Sequence, residues 1–308
     1  MTTIEWTQRP GTKGETWNPT AGCELESPGC LHCYAMTMAA RLELMGQADY
    51  AGLTKKTVGG QTVWTGEVRA LPKRLDVPLR WKSPRTIFVD SMSDLHHESV
   101  PFEFIAAVYG VMAATPLHTY QLLTKRPAQR LRFLEWLAER GGLGRYIRST
   151  RADGDRTLPK LFDATAQTEV VHGKRARSID DPWMRVFNAA GIGFSGPLFN
   201  LWQGVTVEDR KRMTRIDELR ATPAAVRFIS FEPLLEDLGE LDLTGIDLAI
   251  AGAESGRGAR GMETDWARGI RDQCVAQGVK FFYKQEATAA GRKIKLPVLD
   301  GRQWTEMP

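Results

Sequence analysis

The chain has 308 residues, 42% hydrophobic and 25% charged, a balance typical of a soluble globular protein and long enough for one α/β barrel. No apolar run approaches the roughly 20 residues that span a bilayer, and residues 1–10 lack the apolar stretch of a signal peptide, so a cytoplasmic protein is expected. The net charge of +4, from 41 basic and 37 acidic residues, permits an anionic partner without demanding one.

In chain order, the first informative segment is WNPTAGCELESPGCLHCYA, from Trp17 to Ala35. Three of the four cysteines, Cys23, Cys30 and Cys33, fall here with the spacing C-x6-C-x2-C, whereas Cys274 stands alone. A disulfide framework uses an even, dispersed set in a secreted protein; a tight trio in a reducing compartment points to a shared metal. The Gly/Pro-rich loop can fold three thiolates back onto one centre, and its N–H groups can donate to cluster sulfurs. Three thiolates on a [4Fe–4S] cubane leave one iron open to the amino and carboxylate groups of S-adenosylmethionine. One electron then cleaves the sulfonium to a 5′-deoxyadenosyl radical, chemistry that belongs to the cofactor. The competing reading is a structural zinc held by the three cysteines and His32, although His32 lies between two of those ligands in sequence.

A helix is expected at 36–45. The stretch 50–79, rich in Gly, Thr and Lys, reads as an insertion or elaborated loop. Beyond it, short β-branched and aromatic runs predict strands at 86–89, 119–123, 201–207, 226–231, 247–251 and 279–283. Amphipathic stretches predict helices at 102–114, 127–140, 209–219 and 266–277. Pro101 and Pro127 stand near helix starts, Gly278 stands where a C′ glycine ends a helix, and mid-helix Cys274 reads as a small buried hydrophobe. The alternation implies right-handed crossovers and a parallel sheet. The expected fold is therefore α/β: a partial or complete (β/α) TIM-like barrel in a single domain over 1–308, with insertions at about 50–79 and 141–196. The second insertion carries nine Lys/Arg against six Asp/Glu and is expected to have a helix or docking role of its own.

The carboxyl rim of a parallel barrel carries its active site. Ser91 and Asp94 follow one predicted strand, and Thr124, Lys125 and Arg126 the next. Glu208, Glu232 and Glu254 follow three more, and Lys284 with Gln285 follows the last. Lys125 and Arg126 open a helix, where cations are disfavoured, so they could hold a carboxylate or phosphate instead of being solvated charges. Glu232 could cap a following helix or bind ribose hydroxyls or an amino group. The glycine turn at 252–256 could approach a nucleotide closely. His96 and His97 read as surface residues. Trp17, Trp64, Trp81 and Trp202 could stack on bases, with burial in the core as the default.

Several segments resemble the phage Gp37/Gp68 family, also described as DUF5131, in order along most of the chain. They are residues 17–35, SMSDL at 91–95, LTKRP at 123–127, GVTVE at 204–208, RFISFEPLL at 227–235, GAESG at 252–256, RDQC at 271–274 and LDGR at 299–302. The cysteine motif with Tyr34 after it is similar to radical S-adenosylmethionine proteins around spore photoproduct lyase. It has three more residues between its first two cysteines than the usual C-x3-C-x2-C, and His32 stands in the place of an aromatic.

The resemblance implies a radical SAM type of barrel with Cys23, Cys30 and Cys33 as metal ligands. It also implies Tyr34, Ser91, Asp94, Lys125, Arg126, Glu232 and Glu254 as cofactor-binding residues. The cofactors implied are a [4Fe–4S] cluster and S-adenosyl-L-methionine, served by an electron donor such as flavodoxin or ferredoxin. A nucleic acid or nucleotide substrate is expected by analogy, with 145–185 as a contact surface and room for a partner protein. The alternative is a non-enzymatic, zinc-stabilised module that binds nucleic acid or protein.

Overall fold

A computed structural model of the chain describes residues 2, 4–139, 197–254, 258–287 and 293–308. The 141–196 insertion, and the contact surface expected within it, lie outside the described residues. Eight strands form one curled half-barrel sheet in chain order: β1 (Lys13–Trp17), β2 (Arg85–Val89), β3 (Thr119–Thr124), β4 (Leu201–Thr206), β5 (Val226–Phe231), β6 (Leu248–Gly252), β7 (Lys280–Ala287) and β8 (Lys293–Lys295). The first seven run parallel, and β8 turns back antiparallel on β7. The order begins at β1 and ends at β8, so the sheet stays open.

Five helices are described: α1 (Tyr34–Leu44), α2 (Phe102–Ala114), α3 (Pro127–Glu139), α4 (Thr214–Ala221) and α5 (Thr264–Gln277). They form where expected to within a few residues. The helix expected from 209 begins only at Thr214, because a 3-10 turn, Arg210–Arg212, precedes it. Gly278 ends α5 in the left-handed region at φ 72°, its N–H turned back to Cys274 and Val275, as a C′ glycine does.

One connection departs from the βα rhythm. After Glu232 no helix follows; 232–247 run as turns and irregular backbone to β6. Leu234, Leu238, Leu241, Leu243 and Ile246 bury themselves in the outer core where a helix would otherwise pack. Each such burial is worth roughly 1.5–3 kcal/mol, so the loop is held by its leucines and not by helical hydrogen bonds. Glu232 therefore caps nothing.

Strand alternation separates the two faces. Ile87, Val89, Tyr120 and Leu122 face α2 and α3; Ile229, Phe231, Ala249 and Phe281 face the packing around α4 and α5. The concave face is filled from below by Trp6, carried on a 3-10 turn, Glu5–Thr7. Its ring centroid lies 4.7 Å from Phe88 and 5.5 Å from Phe228, and Gln121 donates to its carbonyl at 3.2 Å. Trp202, Leu248, Ile250 and Phe282 complete this floor. Toward the carboxyl ends the inward residues become polar, Thr206 on β4 and Ser230 on β5, and they line a cavity above the floor.

The 50–79 insertion has a structural task. Thr54–Lys56 and Thr62–Trp64 form a hairpin, and Arg69–Ala70 pairs antiparallel with Thr20–Ala21 just before the first cysteine. Tyr50, Leu53, Trp64 and Leu71 pack with Ala21, Met36, Ala39 and Met92 in a small core, against which Cys23 and Cys33 also lie. Of the four tryptophans singled out, Trp17, Trp64 and Trp202 are buried, in keeping with their default reading, and Trp81 is half-buried with Arg85 over its ring.

Candidate functional site

A cavity of about 650 Å³ opens at the carboxyl ends of the strands, and Cys23, Cys30 and Cys33 all line it as free thiols. Two glycines make this loop geometry. Gly22 bridges to Ser93 and has φ 89°; a Cβ there would sit 2.1 Å from the Glu67 carbonyl oxygen. A Cβ on Gly29, inside the turn Pro28–Cys30, would lie 2.9 Å from a carboxylate oxygen of Glu208. No other residue fits at Gly22 without moving backbone.

Cys33 stands immediately before α1, whose first N–H groups, those of Ala35 and Met36, favour its thiolate. Burial nevertheless pushes its thiol up, against the pull of those N–H groups and of Lys125. Burial likewise pushes Cys23 up to about 12, with Asp94 adding to the rise and Arg126 opposing it. Both are therefore protonated thiols at neutral pH, so any cation held by them would have to displace their protons.

Behind the cysteines lies a buried charge network. Asp94 accepts from the Thr124 hydroxyl at 2.7 Å, the Lys125 N–H at 3.0 Å and the His96 N–H at 3.0 Å. Burial acts to raise its pKa, but the Arg126 guanidinium and these donors hold it below the ordinary carboxylate range. Arg126 is buried and touches four carboxylates, Asp94, Glu24, Glu26 and Glu98, at 3.0–3.4 Å, with its Nη1 also 4.0 Å from Cys23 Sγ. Glu208 is fully buried between Ser27, Lys125 (3.2 Å) and Arg215 (3.0 Å).

The profile of a family described as "Protein of unknown function (DUF5131)" matches residues 1–308. The chain belongs to this family. No curated protein and no solved structure matches it.

Within this DUF5131 chain the expected site residues sort into two groups. Tyr34, Ser91, Glu232, Glu254, Lys125 and Lys284 all line the cysteine cavity. The Tyr34 phenol is half exposed, and its hydroxyl donates to the Ser91 carbonyl at 2.7 Å. Both oxygens of Glu232 accept from Lys284 Nζ, at 2.6 and 2.7 Å. Lys284 and Gln285 lie inside β7 and do not follow it, because β7 runs on to Ala287. A register shift opposite Ala251 and Gly252 marks a bulge there, a device that re-aims a side chain beside a site. Glu254 is held by Arg260, which also donates to the Pro28 carbonyl in the cysteine loop at 2.9 Å. Burial works to raise the Glu254 pKa, and Arg260 more than offsets it. Asp94 and Arg126 also border the cavity, but their hydrogen-bonding capacity is directed into the network that fixes the cysteine loop.

The two histidines expected at the surface are buried. His96 packs against Tyr109 and Phe133, and burial drops its pKa to about 3, so it is neutral. His97 Nε2, Glu24 and Glu98 bring ligand atoms within 4.8 Å of one another. They do not make a metal site: Ser99 N–H donates to His97 Nδ1 at 3.2 Å, which leaves the ring proton on Nε2, and Arg126 already bonds both glutamates.

Sequence reading missed Asp90. It follows β2 with φ 55°, is buried, and lines the cavity. One carboxylate oxygen accepts from Thr20 N–H at 3.1 Å and Ser93 Oγ at 2.8 Å; the other is buried without a partner among the described residues. Burial pushes its pKa up to about 7. A lone Asp after a strand gives no sign of this in sequence, because the desolvation comes entirely from tertiary packing.

Proposed function

We propose that the chain is an iron–sulfur enzyme of the radical S-adenosylmethionine type, acting on a nucleic acid or nucleotide substrate. The observation that carries the reading is the convergence of three free cysteines on one cavity at the carboxyl rim of a parallel half-barrel. The donor set fits a three-thiolate cluster. The fourth cysteine, Cys274, is buried in α5 and does not line the cavity, whereas His32 does and is the ligand that a zinc site would recruit.

Cys23, Cys30 and Cys33 would hold the cluster. Bound there and reduced by an external one-electron donor, such a cluster would supply the chemistry that cleaves S-adenosylmethionine reductively to methionine and a 5′-deoxyadenosyl radical. Lys125 spends one ammonium donor on Glu208 and has others for a ligand carboxylate. The Thr206 and Ser230 hydroxyls offer hydrogen bonds to ribose or amino groups from the concave wall. Trp6 and Phe88 close the floor against water.

The test is purification without oxygen, followed by iron, zinc and acid-labile sulfide analysis. Iron and sulfide with a brown colour, lost in Cys30→Ala, is the expected result; stoichiometric zinc without a chromophore overturns the cluster. Reduced protein given S-adenosylmethionine should release 5′-deoxyadenosine, and none above a cluster-free control overturns the radical chemistry. Affinity for DNA or RNA should fall steeply with salt, and a flat response overturns the substrate class.

A further inference from the structure

The wall of the cavity formed by β5, β7 and β8 is built from lysines. Lys284 enters from the bulged part of β7. Lys293 and Lys295, two residues apart on β8, pair opposite Ala287 and Gln285 and so share one face of the strand. All three line the cavity with two carboxylates, Glu5 and Glu232.

These carboxylates are unequally shared. Lys284 takes both oxygens of Glu232, at 2.6 and 2.7 Å. Lys295 sits 2.7 Å from Glu5 Oε1, and Lys293 reaches the same oxygen only at 4.0 Å. Among the described residues three ammonium groups therefore face two carboxylates, and Lys293, on the exposed edge strand with about a third of its side chain open to solvent (33%), has the loosest partner. Burial and the neighbouring Lys284 both work against its charge, more strongly than Glu5 and Glu232 support it. A loosely paired cation beside a like charge, on the wall of a ligand-sized cavity, can take one further negative charge.

We propose that this lysine corner receives a singly charged acid group of the substrate, a phosphodiester or a carboxylate, with Lys293 as the ammonium that binds it. The corner gives the proposed enzyme its substrate class, and so rests on that reading. The acid group would be held at the β7–β8 edge, on a different part of the cavity wall from the cysteine loop.

Calorimetric titration of the anaerobically purified full chain tests this, with a dinucleoside monophosphate as the phosphodiester probe and benzoate as the carboxylate probe. At least one probe should bind the wild type. Lys293→Ala should weaken it about tenfold, the loss of one charge-assisted hydrogen bond, whereas Lys293→Arg should retain most of the affinity. Lys55→Ala, on the exposed hairpin, should bind as the wild type does. Equal affinity in Lys293→Ala, or binding of neither probe, overturns the proposal. Displacement of the probe by S-adenosylmethionine also overturns it, by giving the corner to the cosubstrate. Iron content and 5′-deoxyadenosine release, scored on the same preparation, report separately on the radical reading.

Discussion

Two buried carboxylates on the cysteine cavity and behind it carry opposite pH signatures. Asp90 has its folded pKa raised by burial to about 7, well above that of an unfolded aspartate. The unfolded chain gives up this proton first, so stability falls as pH rises from about 4 to 7 and stays low above that. Asp90→Asn should keep the bonds from Thr20 and Ser93 and tolerate the left-handed backbone, since Asn adopts it readily. The variant should therefore be more stable than the wild type at pH 8, by on the order of 2–4 kcal/mol, with the gain vanishing near pH 4. Urea denaturation at the two pH values checks it, and an equal gain at both would mean that desolvation is not the cause. Glu208 is the reverse case. Burial acts to raise its pKa, but Lys125, Ser27 and Arg215 hold it lowered, so its contribution is present above the ordinary glutamate pKa and lost as pH falls through the depressed one. Glu208→Ala strands Arg215 and Lys125 beside the cysteine turn and should cost about 3–5 kcal/mol near pH 7, read from the urea midpoint. A loss below 1 kcal/mol would show the network to be slack.

Among the elements, the short strands of the 50–79 insertion support the cysteine loop. The hairpin Thr54–Lys56 and Thr62–Trp64 contributes Trp64 to the core beneath Cys23 and Cys33. Trp64→Ala should destabilise the chain by about 3–5 kcal/mol and increase the rate at which reduced cysteines react with a thiol reagent. An unchanged rate would detach the insertion from the site. Sequence could not assign this role, since residues 50–79 read only as an elaborated loop. The strands that were legible, β2 to β7, are apolar because helices or packed loops cover one face and the Trp6 floor much of the other. β1, KGETW, buries only Gly14 and Trp17, and β8, KIK, is an exposed edge, so neither has the apolar pattern that marks a parallel strand. The irregular β5–β6 connection escaped for a related reason: its leucines have helix-like composition but pack as a loop. The cysteine loop was legible from spacing alone. The carboxylates that surround Arg126 were not, because Glu24, Glu26, Asp94 and Glu98 come from separate segments that only the fold brings together.

An open half-barrel has to fill its concave face without neighbouring strands to close it, and at the scale of the molecule Trp6 answers that need. Its turn touches residues from β2 and β5, and Gln121 of β3 holds its carbonyl, so a segment outside the sheet ties strands that do not adjoin. The same ring forms the floor of the cavity that the cysteines overlook. One side chain thus serves both the packing of the sheet and the floor of the cavity. Trp6→Ala should cost about 3–5 kcal/mol, because the surrounding aromatic rings cannot collapse fully into the space it leaves. Water entering from below should also speed modification of Cys23, Cys30 and Cys33 in the metal-free reduced protein. Leu44→Ala, at an exposed position on α1, should change stability by no more than about 0.5 kcal/mol and leave thiol reactivity alone. Urea midpoints and thiol-modification rates on the three proteins decide the matter. If Trp6→Ala lowers the midpoint but leaves the cysteines as slow to react as in the wild type, the floor serves the fold only, and the cavity is sealed by the cysteine loop itself.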